Sequence, residues 1–117
     1  MTTSIYHNPR CSKSRQTLQL LQDNNIEVTV IEYLKQIPDT NEIKTLLKQL
    51  GMDSAQQLMR KGEAIYKQLN LKDSAHSEEQ LINAMIENPK LIERPIVVHG
   101  NAAKIGRPPE QVLALFK

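Results

Sequence analysis

Two short runs of β-forming residues near the N-terminus enclose a helix-forming segment, and this order restricts the fold more than any other feature. Ser4–Tyr6 is a strand candidate, a helix is predicted from Ser12 to Asn24, and the β-branched run Val28–Ile31 predicts a second strand. A strand–helix–strand unit of about 33 residues is typical of a crossover between two parallel strands. The chain is therefore predicted to form an α/β fold around a sheet.

The middle of the chain, residues 39–88, is predicted to be a helical insert without a strand. Apolar residues recur at i, i+3, i+4 and i+7 from Ile43, as in an amphipathic helix, and Gly51 follows where a helix stop is expected. Ser54 and Ser77 each begin a capping-box pattern, with a glutamine three residues later. A short helix is expected after Ser54, and another helix after Ser77.

The C-terminal part of the sequence returns to β-structure. Pro95–Val98 predicts a third strand, Gly100-Asn101 a two-residue hairpin turn, and Ala102–Ile105 a fourth strand. Pro108-Pro109 then opens a last helix, because proline is tolerated in the first helical turn. The predicted order is β-α-β, helical insert, β-β-α, with a mixed four-stranded sheet. Since that sheet needs both ends of the chain, residues 1–117 are predicted to be one domain.

The composition excludes several classes of site. Cys11 is the only cysteine among 117 residues, so an intramolecular disulfide and an all-cysteine metal site are excluded, and a lone thiol suits a reducing cytosol. No signal segment or long apolar run is visible, which predicts a cytoplasmic protein that does not enter membranes. His76 and His99 lack a second ligand at metal spacing, so no metal site is expected. Aromatic residues make up only 3%, which argues against a nucleic-acid surface.

The setting of Cys11 predicts a reactive thiol. It lies between a predicted strand and a helix start, where unpaired N–H groups and the positive end of the helix dipole favour a thiolate. The neighbouring Arg10, Lys13 and Arg15, with His7, should add positive charge or hydrogen bonds and lower the pKa further. A buried filler is the common role of a free cysteine, but three bases so close favour the reactive role.

The residues after Cys11 exclude two relatives. A phosphatase-type loop has arginine six positions after its cysteine, where this chain has Thr17, and a dithiol redox motif has a second cysteine where this chain has Ser14. Cys11 must therefore act alone and be restored by an outside thiol. Arginine presents a planar fork of donors that suits tetrahedral oxyanions. The candidate arginines are Arg60, Arg94 and Arg107.

Taken together, these motifs resemble the ArsC-type, glutaredoxin-coupled arsenate reductases, almost from end to end. The strongest pieces are His-Asn-Pro-x-Cys at 7–11, Leu-Met-Arg-Lys at 58–61, and Glu-Arg-Pro-Ile-Val-Val at 93–98. The resemblance implies a thioredoxin-like fold with a helical insert, which agrees with the predicted element order. It also implies that Cys11 is the nucleophile that attacks arsenate.

The resemblance further implies the course of the reaction and its partners. Glutathione, a co-substrate, attacks the arsenic–thiol adduct, glutaredoxin resolves the mixed disulfide, and arsenite leaves; no cofactor is bound. His7 then helps to lower the thiol pKa, and Pro95 occupies the position that is cis in thioredoxin-like folds. The predicted substrate-binding residues are Arg60, Arg94, Arg107 and Ser14.

Two other functions remain open at this stage. Spx-like regulators share the fold and bind RNA polymerase, but they sense redox state through a Cys-x-x-Cys pair that Ser14 removes here. A monothiol glutathione-dependent oxidoreductase acting on protein mixed disulfides would also need an activated thiol. The three arginines would have no evident task in such an enzyme.

Overall fold

Four strands form one mixed sheet in the computed structural model, which describes residues 2–73 and 75–117. The strands are β1 (Thr3–Tyr6), β2 (Thr29–Ile31), β3 (Ile96–His99) and β4 (Ala102–Ile105), in the order β2-β1-β3-β4. β1 runs parallel to β2 and antiparallel to β3, and β3 pairs antiparallel with β4. The predicted mixed four-stranded sheet and its parallel opening pair are confirmed.

Two helical elements pack against the sheet. Helix α1 (Ser12–Asp23) confirms the predicted first helix, and a 3-10 helix (Pro109–Phe116) stands where the last helix was expected. The four fully buried side chains of the core that they share with the sheet are aliphatic. This core consists of Ile5, Leu21, Val97 and Val112, with Leu18, Ile26, Val28, Leu115 and Phe116 packed against it.

The middle of the chain is helical, as predicted. It contains α2 (Thr40–Leu50), a 3-10 helix (Ala55–Leu58), α3 (Ala64–Gln68), α4 (Glu78–Glu87) and a second 3-10 helix (Pro89–Leu91). Both predicted capping boxes are present, and α2 ends at a left-handed glycine, Gly51 with φ 72°. The short helix α3 was not predicted, because Glu63 at its N-cap makes no side-chain capping bond and the helix has only 5 residues.

The chain divides into two compact units. One comprises Met1–Gln36 and Arg94–Lys117 and holds the whole sheet; the other comprises Ile37–Glu93 and holds the helices α2 to α4. The single domain inferred from the sequence stays a prediction. Within the residues that the structure describes, no helix has the length and apolar character that crossing a membrane requires.

Candidate active site

Cys11 is the N-cap residue of α1, at the strand-to-helix turn where the sequence placed it. Its backbone is extended, with φ −93° and ψ 122°. The Cys11 N–H donates to the carbonyl of Asn8 at 3.0 Å, and the Arg15 N–H donates to the Cys11 carbonyl at 3.0 Å. The residue is half-buried and its thiol is free. The turn therefore holds the sulfur at the start of the helix while leaving it within reach of small molecules.

The surroundings of this sulfur favour its ionised form. Burial raises the pKa of the Cys11 thiol, but the Ser14 N–H, the hydrogen bond and charge of the Arg94 guanidinium, and the Lys13 N–H together bring the pKa below its usual value. The Cys11 side chain forms no regular capping hydrogen bond at this helix start. The helix start and one distant arginine therefore act together on the sulfur.

Arg107 bridges Cys11 and the backbone of Arg94. Its Nη2 lies 3.5 Å from the Cys11 Sγ, and its Nε donates to the Arg94 carbonyl at 2.8 Å. The Arg94–Pro95 peptide bond is cis, the form that the resemblance implies for Pro95. The fold thus brings two of the three predicted oxyanion arginines to the sulfur, although they are far from Cys11 in sequence.

The side-chain charges of the bases around Cys11 do not have the part predicted for them, although the backbone N–H of Lys13 does help to lower the Cys11 pKa. The side chains of Arg10, Lys13 and Arg15 are exposed, and their charges are not among the causes that lower the Cys11 pKa. Arg15 instead donates from Nη1 to the Pro9 carbonyl at 2.9 Å. Exposed charges are weakened by water, which explains why proximity in sequence did not predict their effect.

The buried side chain of His7 contacts the side chain of Ser14. Its Nδ1 is 2.7 Å from the Ser14 Oγ, which also accepts the Asn8 N–H at 3.0 Å. Burial lowers the pKa of His7; Glu32 opposes the shift and Arg15 adds to it. The lowered pKa favours the neutral form of His7, which argues against the positive charge that was one of the two contributions expected of it. The buried Ser14 hydroxyl braces the loop, and the predicted role of Ser14 in binding substrate stays a prediction.

Arg60, the third predicted arginine, lies in the helical unit. It follows the 3-10 helix Ala55–Leu58, and its N–H donates to the Leu91 carbonyl at 2.7 Å. Its guanidinium lies 3.8 Å from a carboxylate oxygen of Glu63 and 3.8 Å from one of Glu93. Two carboxylates thus orient this side chain, and its role in binding an oxyanion stays a prediction.

Gly106 lies in close contact with Pro95 and Thr17 beside the site, and the sequence did not predict this role. Its N–H donates to the Pro95 carbonyl at 2.9 Å, immediately before Arg107. A Cβ on Gly106 would lie 2.9 Å from the Pro95 Cγ and would also strike the Thr17 Oγ1, so only glycine fits there. Thr17 is fully buried, with its hydroxyl donating to the Lys13 carbonyl at 2.8 Å. A lone glycine carries no sequence signal for such a contact.

Replacing Gly106 with alanine should lower the free energy of unfolding by about 1–3 kcal/mol, because the added methyl group overpacks a closed contact. Urea denaturation of both proteins measures the change. Gly62→Ala is the matched control, since a Cβ at Gly62 meets nothing within 4 Å. Equal stability of the two alanine variants would contradict the close packing of Thr17 and Pro95 around Gly106.

The buried, neutral His7 should make the protein less stable as the pH falls from 7.5 to 5.5. The unfolded chain takes up a proton on this residue near its ordinary pKa of about 6.5, whereas the folded pKa is lowered. The slope from this one group is at most about 1.4 kcal/mol per pH unit. Urea midpoints across this range should fall more steeply for the wild type than for His7→Gln, and identical slopes would contradict burial of a neutral imidazole.

The other two histidines lie outside the loop that carries Cys11. The His76 Nε2 is 2.9 Å from the Asn70 carbonyl, and the His99 Nδ1 is 2.8 Å from the Thr3 hydroxyl. Over residues 2–73 and 75–117, no group of three or more His, Cys, Asp or Glu side chains is placed to hold a metal ion.

Comparison with known proteins identifies relatives across nearly the whole chain. A model described as the ArsC family matches residues 6–115. The chain is 47% identical over 116 residues to an arsenate reductase of Haemophilus influenzae, covering 99% of this chain and 100% of that protein. It is 60% identical over 111 residues to the uncharacterized protein YfgD of Escherichia coli K12, covering 95% and 93% of the two chains.

A solved structure gives the same result for the fold. The arsenate reductase from Vibrio cholerae superimposes with a TM-score of 0.95 at 53% identity, covering 98% of each chain. The predicted thioredoxin-like α/β fold is thereby confirmed.

Proposed function

Because this chain belongs to the ArsC family, we propose that it reduces arsenate to arsenite in the cytosol, with glutathione and glutaredoxin as reductants. The observation that carries the proposal is the pairing of a half-buried, acidified thiol with the Arg107 guanidinium, whose Nη2 lies 3.5 Å from the Cys11 Sγ. The names of relatives from Haemophilus influenzae and Vibrio cholerae support the same substrate.

In the proposed first step, the Cys11 thiolate attacks the arsenic of arsenate. A sulfur–arsenic bond forms, a hydroxyl group of the arsenate takes up a proton from solvent, and the bond between arsenic and that oxygen breaks as it leaves as water. The lowered pKa of Cys11 increases the fraction of thiolate near neutral pH, and the thiolate is the nucleophilic form. The Arg107 and Arg94 guanidinium groups at the sulfur would hold the oxyanion and stabilise the charge that develops on its oxygens.

In the proposed second step, the thiol of glutathione attacks the Cys11 sulfur of the adduct. The electron pair of the sulfur–arsenic bond passes to arsenic, which is reduced from arsenic(V) to arsenic(III) and leaves as arsenite. Cys11 remains as a mixed disulfide with glutathione. The thiolate of glutaredoxin then takes over the glutathionyl group and restores the Cys11 thiol. Electrons come from thiols throughout, so the proposal needs no bound cofactor.

The surrounding loop has a supporting part in this proposal. His7 is neutral and contacts Ser14, whose N–H acts on the Cys11 sulfur, so His7 would position the loop instead of supplying charge. We propose that Ser14 binds the oxyanion through its backbone N–H, which already acts on the Cys11 sulfur. The role of Arg60 stays a prediction.

A coupled assay with purified protein tests the proposal. Oxidation of glutathione should depend on arsenate and on glutaredoxin together, and arsenite should accumulate in equal amount. Assays that omit arsenate or glutaredoxin are the controls. No arsenite from the complete mixture would contradict the proposal.

The same assay separates the other two functions. Turnover of a glutathionylated protein without turnover of arsenate would instead favour a monothiol oxidoreductase. Tight binding to RNA polymerase with neither turnover would favour a regulator of the Spx type.

A further inference from the structure

The side chains of Arg10 and Lys13 lie within two residues of Cys11 in the sequence, but neither has a role in the site described above. Both side chains are exposed. Across residues 2–73 and 75–117, neither side chain forms a hydrogen bond or an ion pair with another part of the chain. Arg15 differs, because its Nη1 is held by the Pro9 carbonyl at 2.9 Å. Arg10 and Lys13 are thus available to a molecule that arrives from solvent.

These two charges do not act on the sulfur itself. The groups that lower the Cys11 pKa are two backbone N–H groups and the Arg94 guanidinium, while Arg107 lies in contact with the sulfur. Coulomb attraction weakens with distance and with exposure to water, so Arg10 and Lys13 are poorly placed to hold a small oxyanion bonded to the Cys11 Sγ. They suit a larger anion whose charges extend outward from the sulfur.

We propose that Arg10 and Lys13 form a cationic rim that binds the carboxylates of glutathione while its sulfur reacts at Cys11. This inference rests on the proposed function, which makes glutathione the thiol co-substrate. Glutathione carries a carboxylate at each end, on either side of its thiol, and the two cations stand on either side of Cys11 in the chain. No acidic residue precedes Asp23, so the loop itself offers no competing carboxylate.

The test uses thiol–disulfide exchange, which needs no arsenate. The Cys11 thiolate attacks one sulfur of glutathione disulfide, the sulfur–sulfur bond breaks, a mixed disulfide forms, and the other glutathione leaves as its thiolate. Rate constants are measured by mass spectrometry for glutathione disulfide and for the uncharged 2-hydroxyethyl disulfide. The rate constant for glutathione disulfide is divided by the rate constant for 2-hydroxyethyl disulfide. This ratio cancels changes in the reactivity of the Cys11 sulfur, because such changes affect both rate constants equally.

The double variant Arg10→Gln/Lys13→Gln should lower this ratio by about tenfold, since two exposed charge pairs are lost. Its rate constant with 2-hydroxyethyl disulfide should stay unchanged. The matched control is Lys44→Gln/Lys48→Gln, which removes two exposed charges from α2 and should leave the ratio unchanged. In the wild type, high salt should lower the ratio toward that of the rim variant.

Three results would overturn the inference. An unchanged ratio in the rim variant would show that glutathione does not use these cations. Equal slowing with both disulfides would show that the cations act on the sulfur. An unchanged ratio with slower reduction by glutaredoxin would assign them to that protein instead. Absence of arsenate turnover in a wild type that keeps its preference for glutathione disulfide would count against the proposed function alone.

Discussion

Replacing Cys11 with serine should reduce arsenate turnover by about 10⁴-fold or more, the largest effect expected of any substitution. A serine hydroxyl is scarcely ionised near neutral pH, and its oxygen cannot form a mixed disulfide with glutathione. Both proposed steps at this position therefore stop. The measurement is kcat/KM for arsenate in the coupled glutathione and glutaredoxin assay.

A second variant tests whether a thiol at the neighbouring position would suffice for arsenate turnover. In Cys11→Ser/Ser12→Cys, the thiol moves from the N-cap to the first residue of α1. It should remain inactive, because the sulfur no longer occupies the position that Arg107 contacts. Unfolding midpoints of both variants near the wild-type value would show that activity was lost without loss of the fold. Substantial turnover by Cys11→Ser would refute the proposed mechanism.

The charge-conserving substitution Arg107→Lys should lower kcat/KM for arsenate by about 10²-fold. A lysine ammonium cannot donate to the Arg94 carbonyl and contact the Cys11 sulfur in the fixed geometry of the guanidinium fork. Loss of one preorganised donor to a developing oxyanion typically has an effect of this size. The Cys11 thiolate should still form, because Arg94 and the N–H groups of the helix start remain.

The matched control for this prediction is Lys104→Arg, the reverse exchange at an exposed position of β4. It should leave kcat/KM unchanged. If Arg107→Lys retained the full wild-type value, positive charge alone would suffice and the bridging geometry would have no catalytic importance.

Much of the fold was predictable because its signals are local. The β-branched run before Ile31, the apolar stripe from Ile43 and the capping boxes at Ser54 and Ser77 each lie within a few residues, and the structure contains the corresponding elements. Helix α3 was missed because tertiary packing around the buried Tyr66 replaces a capping signal there. The last helix is 3-10, a distinction that the residues after Pro108 do not reveal.

The position of the candidate nucleophile could also be predicted from local sequence signals. The charges that act on its sulfur could not, because they come from distant residues. The strand-to-helix turn placed Cys11 at the N-cap of α1 from the sequence alone. The cations that act on its sulfur come from the opposite end of the chain, and burial keeps His7 neutral. Depth of burial and contacts across 96 residues have no signature in a short motif. The close approach of Thr17 to Gly106 escaped prediction for the same reason.

Titration of the Cys11 thiol measures the effect of its surroundings on its pKa. The rate of alkylation by iodoacetamide, measured against pH, reports the thiolate fraction of this single cysteine. We expect a midpoint below the value of about 8.5 for a free thiol, and a higher midpoint in Arg94→Leu. A wild-type midpoint at or above the free-thiol value would contradict the conclusion that the helix start and the distant arginine lower the pKa of this thiol.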